Sequence, residues 1–90
     1  MNYIRTDHGI YLMNEKGEEV AKVIFQQRKE GEITVTHTFV DSSLQGQGIA
    51  KKLMDEVCKY AQEKQLIVLA ECSYAVRYLE KHTYQLRKEQ

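Results

Sequence analysis

Ser42-Ser-Leu-Gln-Gly-Gln-Gly-Ile-Ala-Lys-Lys52 joins a strand pattern to a helix pattern. Before it, Glu32-Ile-Thr-Val-Thr-His-Thr-Phe-Val40 is a β-branched run that predicts a strand. On the strand period, Ile33, Val35, His37 and Phe39 share one face, and Thr34, Thr36, Thr38 and Val40 share the other. After it, Ala50, Leu53, Met54, Val57, Cys58 and Ala61 recur at helical spacing, an apolar stripe about four turns long. Gly46 and Gly48 lack Cβ atoms, so the backbone between the two elements can turn tightly and approach a ligand closely. The first amides of a helix have no intrahelical partner and sit at the positive end of its dipole. A glycine-lined turn at that point suits an anion such as phosphate. Lys51 and Lys52 oppose the dipole by roughly a few tenths of a kcal/mol each, a term whose sign a bound pyrophosphate would reverse. Glycines that merely cap the turn explain the same spacing, because one Gly-x-Gly is a weak signal.

Upstream, Gly9 to Asn14 and Glu19 to Gln26 read as two further strands, separated by the turns Asn14-Glu-Lys-Gly17 and Lys29-Glu-Gly31. Short turns between them predict an antiparallel meander. Downstream, Leu66-Ile-Val-Leu-Ala70 is continuously apolar, which predicts a strand buried on both faces and parallel to its neighbour. Strand, helix and buried strand then form a right-handed βαβ unit. Tyr74 to Lys81 reads as a shorter second helix, and the polar tail Gln85 to Gln90 is expected to fray. The predicted architecture is β-β-β-α-β-α, an α+β (mixed α/β) chain with a mixed, mostly antiparallel sheet and two helices. At 90 residues it is expected to be a single domain spanning 1–90. Lys plus Arg is 13 and Asp plus Glu is 13, a balance that argues against nucleic acid as a partner. No apolar run is long enough to span a membrane, and the N-terminus lacks the apolar core of a signal peptide, so a cytoplasmic location is expected. The two cysteines, Cys58 and Cys72, are too few for a disulfide scaffold, and no metal constellation is visible.

Two phosphate-binding motifs fail on this loop. The P-loop pattern is absent, and Gly46-Gln-Gly48-Ile-Ala50 breaks the dinucleotide fingerprint. A third fits. Gln45-Gly-Gln-Gly48-Ile-Ala50 matches Gln/Arg-x-x-Gly-x-Gly/Ala, the acyl-coenzyme A pyrophosphate loop, and the sequence resembles the GNAT N-acyltransferases over roughly residues 10–84. It looks most like a small single-domain group with Cys-Ser-Tyr after the buried strand, as in Cys72-Ser73-Tyr74. The resemblance implies a GNAT-like fold that binds acetyl-CoA as cosubstrate. Thr38, Phe39 and Val40 would run beside the pantetheine arm. The amides of Gln45, Gly46, Gln47, Gly48, Ile49 and Ala50 would hold the pyrophosphate, with Lys51 close to the phosphates. The strands Ile33–Val40 and Leu66–Ala70 would splay apart where the thioester sits.

The second helix departs from the family. Ala75, Glu80 and Lys81 match its pattern, but Leu79 stands where the family's proton-donating Tyr is usual, and Cys72 stands in place of an Asn. Cys72 precedes a helix, where a thiol pKa can fall to about 3.5–7.5, so it is a candidate catalytic residue, either as acyl acceptor or in proton transfer. A small inert core residue is the alternative for it, and for Cys58 the core reading is the stronger. His37 is the second catalytic candidate, because an imidazole on the strand lining the site suits proton removal from an amine. Its alternative is a hydrogen-bonded core histidine. The expected function is an acetyl-CoA-dependent N-acetyltransferase acting on an amine of a small molecule or protein, as a monomer or weak dimer. The alternative is a coenzyme A-binding module with little turnover.

Overall fold

The computed structural model describes residues 2–81. The tail Gln85 to Gln90 lies outside them. The chain runs β1 (Asn2–Arg5), β2 (Gly9–Met13), β3 (Glu19–Lys29), β4 (Glu32–Val40), a 3₁₀ turn (Ser42–Leu44), α1 (Ile49–Lys64), β5 (Ile67–Ala70) and α2 (Ser73–Lys81). The strands lie in the order β1-β2-β3-β4-β5. Neighbours are antiparallel except β4 and β5, which are parallel across the α1 crossover. The mixed sheet with two helices therefore stands, with one strand more than the sequence suggested. All four residues of β1 are exposed, so no apolar alternation marks it, and its pairing with β2 supplies what its sequence does not.

The core fills one side of the sheet. Ile10, Leu12, Ala21, Val23, Phe25, Ile33, Val35 and Val68 meet Ile49, Leu53, Met54, Val57, Cys58 and Ala61 of α1 and Ala75 and Tyr78 of α2. The helix stripe is as its spacing implied, except that Ile49 rather than Ala50 enters the core. At the end of α1, Gln65 takes a left-handed conformation (φ 60°), and the Leu66 amide donates back to the Ala61 carbonyl at 2.7 Å. The Tyr78 hydroxyl, on a buried side chain, donates to Asp55 Oδ1 at 2.5 Å and ties α2 to α1.

Two features of the sheet depart from the sequence reading. β5 is not buried on both faces: Val68 is covered, but Ile67 and Leu69 are 52% and 43% exposed. The helices cover one face, and no described element covers the other. The second departure is a bulge. Ile24 pairs with His37 and the next residue, Phe25, pairs with Val35, so Thr36 is an extra residue in β4. Its hydroxyl donates to the Ile24 carbonyl at 3.4 Å. An inserted residue reverses the alternation. Ile33 and Val35 point into the core, whereas His37 and Phe39 leave it for the open face, and Thr38 and Val40 take the helix side opposite Val23 and Ala21. The expected shared face of Ile33, Val35, His37 and Phe39 is thus broken at Thr36.

Candidate functional site

The bulge and the short β5 together open a notch. Pairing of β4 with β5 stops at Val35 and Ala70. The amides of Glu71 and Cys72 both donate to the Val35 carbonyl, at 2.8 and 3.3 Å, and the chain then turns away into α2. β4 runs on to Val40, and among the described residues no strand lies beside it on this flank. The Asp41 amide faces β3, bonding the Val20 carbonyl at 2.8 Å, while the Thr38 amide faces Cys72. By strand alternation Val40 also turns its amide into the notch. Buried backbone donors normally find partners, so this edge is fitted to receive an extended group that carries amides of its own.

Cys72 stands at the head of the notch. Its carbonyl accepts the Val76 amide at 2.9 Å, which makes it the N-cap of α2. Its Sγ lies 3.4 Å from Thr38 Oγ1 and is approached by the amides of Ala75, Tyr74 and Thr38. Partial burial pushes the thiol pKa up. The Thr38 hydroxyl and the three amides favour the thiolate and outweigh that, leaving Cys72 below the ordinary thiol value. This is an N-cap geometry with sulfur in the place of the usual oxygen.

The loop leads away from the notch. Asp41 accepts from the Ser43 amide and hydroxyl and organises the 3₁₀ turn. Gly46 and Gly48 have φ of 85° and 73°, the left-handed region that only glycine enters without strain. Gly48 is the N-cap of α1 and has no side chain to cap it, and the first turn carries no acidic residue. The opening amides of α1 therefore face outward without a side-chain acceptor. Thr38, Val40, Gln45, Gly46, Gly48, Ala50, Lys51 and Tyr74 line a groove of ≈ 370 Å³ there. It joins the notch through Thr38, which touches both. An elongated ligand with an anionic end and an amide-bearing arm fits this arrangement, as coenzyme A would.

Of the residues expected to hold such a ligand, Gln47 is exposed outside the groove lining, Ile49 puts its side chain into the core, and Phe39 projects from the open face. Lys51 lines the groove, with Nζ 3.0 Å from Asp55 Oδ2. Tyr74 is the groove residue that spacing did not single out. It follows Cys72 within the same helical turn, and burial, then the Asp55 carboxylate, raise its phenol pKa despite Lys51, so it stays protonated. His37 is exposed on the open face with Nδ1 3.3 Å from Thr36 Oγ1, and no hydrogen bond joins it to Cys72. It is not a core histidine. Cys58 is buried in the core, as expected. Across the open face, Arg28 and Glu71 form a forked ion pair that spans β4 and lowers the Glu71 pKa. Among the described residues no group of His, Cys, Asp and Glu could hold a metal ion.

A parallel strand pair that splays beside a glycine-lined helix N-terminus is the arrangement that the GNAT resemblance of the sequence implies. Comparison with known proteins agrees. The family model described as GCN5-related N-acetyl-transferase matches residues 10–88, and the chain belongs to that family. A GCN5-like protein from Staphylococcus aureus is 30% identical with a TM-score of 0.75, over 93% of this chain and 82% of that one. Tetrahymena GCN5 is 20% identical with a TM-score of 0.69, and this chain, 86% covered, spans 51% of it. A GNAT-family N-acetyltransferase from Escherichia coli, solved in complex with CoA, is 22% identical with a TM-score of 0.62, over 69% of this chain and 38% of that one. No curated protein sequence matches. The family is one of acyltransferases, and the Escherichia coli member of it was solved with CoA bound.

Proposed function

We propose that this chain transfers an acetyl group directly from acetyl-CoA to a primary amine at the notch between β4 and β5. The observation that carries the reading is the placement of Cys72. Its sulfur is held by Thr38 and the first amides of α2 at the point where the two strands part. The outward amides of the Gln45–Lys51 loop hold the pyrophosphate, with Lys51 and Tyr74 at the sides of the groove. The backbone of Thr38, Phe39 and Val40 runs beside the pantetheine arm, with the Val40 amide bonding it. This places the thioester beside Cys72.

Bringing amine and thioester together accounts for most of the rate. The attacking nitrogen must also lose a proton and the departing sulfur must gain one. His37 takes the proton from the amine, and the Cys72 thiol gives its proton to the leaving thiolate. A thiol held below its ordinary pKa gives a proton readily to a thiolate of ordinary basicity. Leu79, half-buried against the core, has no proton to give, so the task falls to another residue. The cytosol, where acetyl-CoA is made and used, fits as the location. In the alternative route Cys72 attacks as its own thiolate, forming the acyl-Cys72 bond as the thioester bond breaks and coenzyme A leaves as a thiolate.

Single-turnover mixing with acetyl-CoA and an amine, followed by intact-mass measurement, separates the routes. Direct transfer leaves the protein unmodified at every time point, and an acetyl adduct that appears and decays at a rate matching turnover would replace it with the acyl-enzyme route. A Cys72→Ala protein that acetylates amines as fast as the parent would remove the cysteine from the mechanism. A protein that binds coenzyme A but turns over no amine would leave a binding module.

A further inference from the structure

We infer that Asp55 sets how tightly the phosphates of the coenzyme are held, by competing with them for the Lys51 ammonium from behind the groove. The inference rests on the coenzyme site proposed above and concerns the strength of its anionic end. Lys51 lines the groove, and its Nζ lies 3.0 Å from Asp55 Oδ2, one helical turn along α1. The other carboxylate oxygen, Oδ1, accepts the Tyr78 hydroxyl of α2. The first turn of α1 carries no acid, so Asp55 is the first carboxylate along the helix whose opening amides face the groove.

An ordinary lysine–aspartate pair one turn apart on a helix surface has little hold against an incoming phosphate. The side chains turn aside, and solvent screens what remains. Asp55 differs in being tied at its far oxygen to a buried side chain. To swing out into water it must break a hydrogen bond in which the acceptor is charged, which is stronger than a neutral one. Its charge therefore stays where the groove feels it. Burial, and then that charge, raise the phenol pKa of Tyr74, which lines the same groove. A phosphate arriving there meets Lys51 already paired and a fixed carboxylate behind it. The arrangement lowers the affinity for coenzyme A as well as for acetyl-CoA, because both carry the same phosphates. Product coenzyme A is then released faster, a gain in a reaction that must shed it at every turnover.

Amide-shift titration of the full chain tests this without relying on turnover, with coenzyme A and with pantetheine, which has the arm but no phosphate. Asp55→Asn removes the charge and keeps an oxygen for the Tyr78 hydroxyl. It is expected to bind coenzyme A about fivefold tighter, with correspondingly slower dissociation, and pantetheine no differently. A carboxylate that served only to join α2 to α1 would move neither. With Lys51→Met in place, the gain from Asp55→Asn is expected to fall below about twofold. Unchanged or weaker coenzyme A binding in Asp55→Asn, an equal gain for pantetheine, or the full gain in the Lys51→Met protein would each overturn the assignment. Failure of the parent chain to bind coenzyme A would instead overturn the site on which it rests.

Discussion

Cys72 is tuned by neighbours that can be removed singly. Thr38→Val deletes the hydroxyl beside its sulfur and keeps the side-chain shape. The thiol pKa is expected to rise, and alkylation of Cys72 at neutral pH to slow several-fold, since the thiolate is the reactive form. Peptide mapping after a pH series of alkylation measures it, and an unchanged profile would mean that the helix amides alone hold the thiolate. The sign of the linked stability follows. The folded pKa lies below the unfolded one, so this contribution is fully present above the unfolded thiol's pKa of about 8.5 and is lost as pH falls through the folded value. Tyr78 gives a second test at this scale. Its buried hydroxyl donates to Asp55, and burial, then that hydrogen bond, hold its pKa far above the usual phenol value. Tyr78→Phe is expected to lower stability by about 1–2 kcal/mol in urea denaturation, equally at pH 6 and pH 9, because the hydroxyl keeps its proton throughout.

Two backbone positions decide how elements begin and end. Gly48 caps α1 in a left-handed conformation with open space around it, so an added Cβ meets no neighbour and the cost of Gly48→Ala is conformational, about 1–2 kcal/mol. A backbone that relaxes to avoid that cost turns the α1 amides away from the groove, and coenzyme affinity is expected to fall with stability. Gln65 occupies a similar conformation without being glycine. Gln65→Gly is therefore expected to stabilise the fold by up to about 1 kcal/mol, read as a higher denaturation midpoint with an unchanged slope. Elements were legible in the sequence where local pattern and packing coincide: the α1 stripe, the three central strands and the loop between β4 and α1. The bulge at Thr36 was not, because an inserted residue shows only against the partner strand, and Glu32 to Val40 alternates without a visible break. That hidden reversal sent His37 and Phe39 to the open face and kept Thr38 and Val40 at the groove. Tyr74 was missed for a related reason, since it reaches the groove through the packing of α2 against α1 rather than through any spacing of its own.

At the scale of the molecule, the described residues pack on one side of the sheet. The helices cover one face of the sheet and seat the coenzyme groove, and among the described residues the other face is left to Ile4, Phe39, Ile67 and Leu69. The apolar run Leu66–Ala70 suggested burial on both sides, and the run is apolar, but no second layer of the described chain meets it. A core this small has little redundancy. Leu53 is fully buried between α1 and the sheet, and Leu53→Ala is expected to cost about 2–5 kcal/mol, enough to leave a large unfolded fraction by circular dichroism at 37 °C. The exposed Leu69→Ser, by contrast, is expected to change the denaturation midpoint little.

The central claim is that the loop and the unpaired edge of β4 together form one acyl-coenzyme A site. A two-dimensional amide titration with acetyl-CoA tests it most directly. The expected result is saturable movement of Gly46, Gly48, Ala50 and Lys51 together with Thr38, Val40 and Cys72, all fitting one dissociation constant. No movement at millimolar acetyl-CoA, or movement of the loop without Thr38, Val40 and Cys72, would contradict it.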